Sequence, residues 1–168
     1  MDPRRTHRSD DGGVRRGIKA TRDGRFRVAL PAEERAVLAS LPAQLGDALD
    51  AGEETLFRLF PPAFADDAEA DAEYRRLVGR SLEDGKRAAL AELERTADAT
   101  ELTEAELSSW LGAIESLRLA LGTQLDVTEE TYLTAIDPND PDLPRHALYH
   151  WLSWLQEEVV AALSTTLP

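Results

Sequence analysis

Apolar and polar residues alternate with a period near two over residues 17–30 and follow a helical period over most of the chain beyond. The first stretch, GIKATRDGRFRVAL, carries Asp23-Gly24 at its centre and predicts a β-hairpin. Loop length decides which residues share a face. A two-residue loop pairs Lys19 with Val28 and Thr21 with Phe26, which separates Ile18 from the other apolar positions. A three-residue loop over 22–24, with Gly24 in the left-handed region, pairs Ala20 with Phe26 and Ile18 with Val28. The second register is expected because Ile18, Ala20, Phe26 and Val28 then face the helices. Lys19, Thr21, Arg25 and Arg27 form the outward face.

Pro31 suits the first turn of a helix, and Glu33 and Glu34 complement its positive end. Val37, Leu38, Leu41, Leu45 and Leu49 supply the apolar stripe, Pro42 a kink, and Gly52 the end. Leu56, Phe57, Leu59 and Phe60 form a short segment before Pro61-Pro62, which forces an extended turn ahead of Phe64. An acidic run (Asp66, Asp67, Glu69, Asp71) then favours a helix start, with Tyr74, Leu77, Val78 and Leu82 as its stripe and a break at Gly85 before Leu90 and Leu93. Thr103 and Glu106 form a capping-box pattern ahead of Leu107, Trp110, Leu111, Ile114, Leu117 and Leu121, with Gly122 as the stop. Thr128, Thr131 and Tyr132 predict a short helix, and DPNDPDLP over 137–144 a rigid loop. The last helix carries Leu148, Trp151, Leu152, Leu155, Val159, Ala162 and Leu163 on one side. The expected fold is therefore mainly α: a compact helical domain of about five to six helices with a small N-terminal β-hairpin, filling residues 17–168. Residues 1–16, Arg-rich and without apolar periodicity, are expected to form a disordered basic arm.

Composition narrows what this fold can do. With 168 residues, 42% hydrophobic and 30% charged, the chain suits one ordinary domain. It has no cysteine, so disulfides, thiolate chemistry and cysteine-ligated metals are excluded within it. No apolar run approaches the roughly 18 to 20 residues of a membrane span, and the cytoplasm is the expected location. The net charge of -13 is divided unevenly. Residues 1–27 hold nine Lys and Arg against four Asp, or +5, and the remainder holds ten basic against 28 acidic residues, or -18. Such a body repels nucleic acid at long range, so phosphate contacts must come from Arg15, Arg16, Lys19, Arg25, Arg27 and the arm before them. The alternative, favoured by the electrostatics, is that these cations neutralise the protein's own acidic body or serve an acidic protein partner.

Candidate chemistry is sparse. His146 and His150 have the i, i+4 spacing of two metal ligands with Glu157 on their face, but that face lies opposite Leu148, Leu152 and Leu155 and no glutamate follows the first histidine. It is expected to be a solvated polar face. Asp137, Asn139, Asp140 and Asp142 resemble a calcium loop in composition only: Pro141 stands where a ligand belongs and the central glycine is missing. No phosphate-binding glycine loop or nucleophile signature occurs, so neither catalytic residues, metal nor cofactor is expected. Trp110 and Trp151 fall on apolar stripes and read as core. Trp154 lies about 100° round the helix from Leu155 and widens the apolar surface, so it reads either as packed against a neighbouring helix of the same domain or as the candidate protein-partner contact.

Three stretches, RLFPPAFADDAEADAEYRRLV (58–78), WLGAIESLRLALGTQLDVTEE (110–130) and ALYHWLSWLQEEVV (147–160), together resemble an actinobacterial family of AosR-like oxidative stress transcriptional regulators. With the hairpin and first helix the resemblance covers nearly all of residues 17–163. It implies a transcription-associated protein in redox or sulfur homeostasis. The redox-sensing members are described as using a C-x-x-x-C pair, which no position here can supply. Residues and resemblance together predict a non-enzymatic regulator that contacts the transcription machinery, RNA polymerase or a sigma factor, with DNA reachable through the basic N-terminus. The alternative expectation is a structural or adaptor module, possibly homodimeric, that does not act on transcription.

Overall fold

A computed structural model describes residues 15–133 and 137–166. The expected arm over 1–14 lies outside these residues. Two strands open the fold, β1 (Gly17–Ala20) and β2 (Phe26–Ala29), and they pair antiparallel with Ile18 opposite Val28 and Ala20 opposite Phe26. This is the three-residue-loop register, with Gly24 at φ +79°. Phe26, Val28 and Ile18 are buried as expected, whereas Ala20 is exposed. Although Ala20 shares their face by register, it stands at the turn end of an edge strand, beyond the cover that Ile18 receives.

Helix α1 (Ala32–Asp50) buries Leu38, Leu41, Pro42 and Leu45 and runs through Pro42, while Val37 is 40% exposed. Pro31 is its N-cap and stands outside the first turn. The helix closes as expected at Gly52 (φ +64°), where Gly52 N–H donates to Leu49 O and Glu53 N–H to Ala48 O. A 3-10 turn (Glu54–Leu59) then buries Leu56 and Leu59 and leaves Phe57 65% exposed.

Helix α2 (Ala68–Thr96) does not break at Gly85. It is one 29-residue helix whose buried residues, Leu90, Leu93 and Thr96, all lie in its last two turns. The predicted stripe in its first half is only partly covered: Tyr74 and Val78 are half-buried, whereas Leu77 and Leu82 are 65% and 46% exposed. Local bonds hold this half in place. Asp67 caps the helix through Ala70 N–H, and Asp71 accepts from Ala63 N–H and Phe64 N–H at 2.7 and 3.3 Å and from Arg75 at 2.9 Å. The acidic run is thus a cap and a clamp on the Pro61-Pro62 turn. Partial desolvation pushes the Asp71 carboxyl up, but the Phe64 and Ala63 N–H groups and Arg75 outweigh it and hold the carboxyl below its ordinary value.

A third strand, β3 (Glu101–Leu102), adds to the outer side of β2 and completes a sheet of order β1-β2-β3. The expected hairpin is therefore two-thirds of a three-stranded sheet. Helix α3 (Glu104–Gln124) follows with the predicted capping box at Thr103 and Glu106. It packs against α1, α2, the 3-10 turn and the last helix, α4 (Leu143–Ser164), and forms the centre of the core with Trp110 fully buried and donating to Thr96 Oγ1 at 2.7 Å. Gly122 is not the stop. Instead it makes room for the Tyr149 ring of α4, whose Cε2 would lie 3.0 Å from a Cβ at that position. The chain reverses at Asp126 (φ +51°), with Val127 N–H donating to Gly122 O and Asp126 N–H to Thr123 O. A 3-10 turn (Glu129–Leu133) stands where a short helix was expected. With both short segments as 3-10 turns and α2 continuous, the helices number four among the described residues, fewer than the five to six expected.

Candidate interaction surface

The sheet's outward face is built by strand alternation. Lys19 on β1 stands opposite Arg27 on β2, and Arg27 stands opposite Glu101 on β3. Arg25 joins this face at the turn, 3.6 Å from the Glu101 carboxylate. Lys19 and Arg27 are exposed, and Arg27 forms no ion pair with another described residue. The expected basic surface therefore exists, but β3 sets one carboxylate into it. Sequence reasoning missed Glu101 because a two-residue strand has no periodicity to read.

Arg15 is exposed, while Arg16 is engaged. Its guanidinium lies over the Trp154 ring, 3.8 Å from the centroid, and donates twice to Glu34, from Nε at 3.1 Å and from Nη2 at 2.5 Å. Trp154 is half-buried against the core, with Arg16 on its ring. The residue expected to bind anions and the residue expected to bind a protein are thus in contact.

Arg35 was not among the predicted site residues. From the first turns of α1 it donates Nε to Leu30 O (3.1 Å), Nη1 to Ala97 O (3.0 Å) and Ala99 O (2.7 Å), and Nη2 to Val28 O (2.8 Å). It ties β2, α1 and the end of α2 together. One signal was present: a cation close to a helix N-terminus opposes the macrodipole and needs a local reason to be there. Arg16, Arg27 and Arg35 with Leu30, Pro31 and Glu101 line an open cleft of about 570 Å³ between the sheet and α1.

On the other side, α4 covers β1. Glu158 Oε2 accepts from Ile18 N–H at 3.2 Å, so this edge strand does not present all its donors to solvent. Gly17 (φ +139°) permits the approach, since a Cβ there would clash with the Glu158 carboxylate.

The remaining candidates are structural in their contacts. Asp137 Oδ1 accepts from Asn139 N–H and Asp140 Oδ1 from Asp142 N–H, so the acidic loop satisfies its own backbone. His146 is half-buried with Nε2 3.8 Å from Asp140 Oδ2, and His150 meets the Tyr149 ring edge-on. Among the described residues no group of three or more His, Cys, Asp or Glu is placed to hold a metal ion, and no helix is long and apolar enough to cross a membrane.

These elements define an α-helical domain capped by a small sheet, with a basic strand face as its distinctive surface. The chain belongs to the family described as a domain of unknown function, DUF2017, whose model matches residues 15–163. The oxidative stress regulator AosR of Mycobacterium tuberculosis (strain ATCC 25618 / H37Rv) is 30% identical over 185 aligned residues, covering 85% of this chain and 84% of that protein. The protein of the same name from Mycobacterium bovis is similar to the same extent. A Mycobacterium leprae protein, also carrying the AosR name, is 31% identical over 153 residues, covering 81% of this chain and 69% of its own length. No solved structure shows significant similarity.

Proposed function

We propose that this protein is a non-enzymatic regulator of the oxidative stress response that acts by contacting the transcription machinery, RNA polymerase or a sigma factor, without sensing through thiols of its own. The observation that carries the reading is the outward row of Lys19, Arg27 and Arg25 on a body of opposite charge, in a chain whose relatives are named oxidative stress regulators. A cationic face on an anionic body orients an approaching partner and sets its register. DNA contact through the same face and the arm before it is part of the proposal, and phosphate neutralisation gives it a signature. A binder using four to six cations has a salt slope of roughly -4 to -5.

Affinity capture of the full chain from native lysate, followed by identification of what co-purifies, tests the protein contact. Polymerase subunits or a sigma factor retained by the wild type and lost from the triple variant Lys19→Ala, Arg25→Ala, Arg27→Ala are the expected result. Protease or assembly components in their place refute it. Exposed Phe57, Leu77 and Leu82 favour a second reading, an adaptor that pairs with its own copy. A monomeric mass by light scattering at tens of micromolar would remove that reading.

A further inference from the structure

We infer that the cleft bordered by Arg16, Arg27 and Arg35 receives an acidic segment of a protein partner, one in which carboxylate side chains alternate with apolar ones. The inference rests on the reading of this face as a partner-binding surface and gives that partner a chemistry. Three guanidinium groups line one opening of about 570 Å³, within the size range of sites that take a few side chains. Arg35 spends four bonds on backbone carbonyls and none on a carboxylate, so its charge is uncompensated and one of its five N–H groups is left over. Arg27 has no ion-pair partner among the described residues. Arg16 is held by Glu34 and by the Trp154 ring, which fixes its guanidinium at the rim in advance of binding.

Two features favour a peptide over a nucleic acid. Leu30 and Pro31 give the cleft an apolar wall that a phosphodiester would not use. Glu34 and Glu101 stand beside the arginines, where they repel a continuous polyanion but accept hydrogen bonds from peptide N–H groups. Range decides the rest. Charge is screened over about 8 Å at physiological salt. A carboxylate inside the cleft meets three guanidinium groups against Glu101 and the already paired Glu34, whereas a duplex laid across the face also meets the acidic body.

The test uses the full chain and fluorescein-labelled probes: a peptide alternating glutamate with leucine, its glutamine counterpart, and a DNA duplex, each titrated by anisotropy at physiological salt. Saturable binding of the glutamate peptide is expected, weakened about tenfold or more by glutamine replacement and by about tenfold in Arg27→Ala. Arg16→Ala is expected to weaken it as well. Arg80→Ala, which removes an equal charge from an exposed position on α2, should leave it unchanged. Arg27 is exposed and outside the core, so its variant should melt with the wild type. Absence of saturable peptide binding, equal losses in Arg27→Ala and Arg80→Ala, or tighter binding of the duplex than of the peptide would each overturn the inference. Cleft binding without capture of transcription components would refute the proposed function and leave the cleft standing. Capture that survives Arg27→Ala, with no peptide affinity, would do the reverse.

Discussion

Arg35 and Asp126 show how much of this fold rests on single side chains. Arg35 satisfies four carbonyls contributed by β2, the segment after it and the turn beyond α2. Removing it leaves four part-buried acceptors without their charged donor, so Arg35→Ala is expected to lower unfolding stability by about 3 kcal/mol, read as a shift in the urea midpoint. Arg35→Lys should recover little, because an ammonium cannot span the same fork of carbonyls. Asp126 is the opposite case. It holds the left-handed position that closes α3, the role Gly52 plays for α1, and a side chain there costs about 1 kcal/mol relative to glycine. Asp126→Gly should therefore raise the melting temperature by a few degrees, and a lower one would show that the aspartate earns its place by a contact outside the turn.

Among the elements, α3 is set by its first turn and α2 by its last. The Thr103 N–H, followed by Arg95 and the Thr103 hydroxyl, holds the Glu106 carboxyl below its ordinary value of 4.5 against partial burial. Because the folded-state value is the lower one, this carboxylate stabilises the protein fully above about 4.5, and the contribution is lost as pH falls through the lowered value. Thermal melts of wild type and Glu106→Gln between about pH 7 and pH 3 should differ at neutral pH and converge in acid. Parallel curves across that range would mean that the capping box does not carry the acid sensitivity. Helix α2 obeys a different rule. Its first half is held by i, i+3 and i, i+4 pairs such as Glu73 with Arg76 and Asp71 with Arg75, and the Glu83 pair with Arg87 spans Gly85, so the helix continues through that glycine with little apolar burial before it.

For the whole molecule, charge and sulfur content set the behaviour. The only sulfur atom in the chain is that of Met1, so peroxide and reductant are expected to leave oligomeric state, melting temperature and partner affinity the same. A reversible, reductant-sensitive change in the purified protein would refute this. The prediction separates this chain from a thiol switch while keeping it in the same family as the mycobacterial AosR proteins.

The hairpin register, the capping box, the stripes of α3 and α4 and the basic outward face were all legible in the sequence. Each depends on residues close together in the chain, where periodicity, turn chemistry and strand alternation act directly. Tertiary structure alone decided the rest. Whether Leu77 and Leu82 are buried depends on whether another element reaches the first half of α2, and none covers them. Strand β3, two residues long, exists because the end of α2 delivers Glu101 and Leu102 to β2, and it carries a carboxylate onto the basic face. The stack of Arg16 on Trp154 and the clamp of Arg35 join residues separated by scores of positions. No local pattern encodes such contacts, because they arise only once the helices have packed and brought distant backbone carbonyls and rings within reach of an arginine.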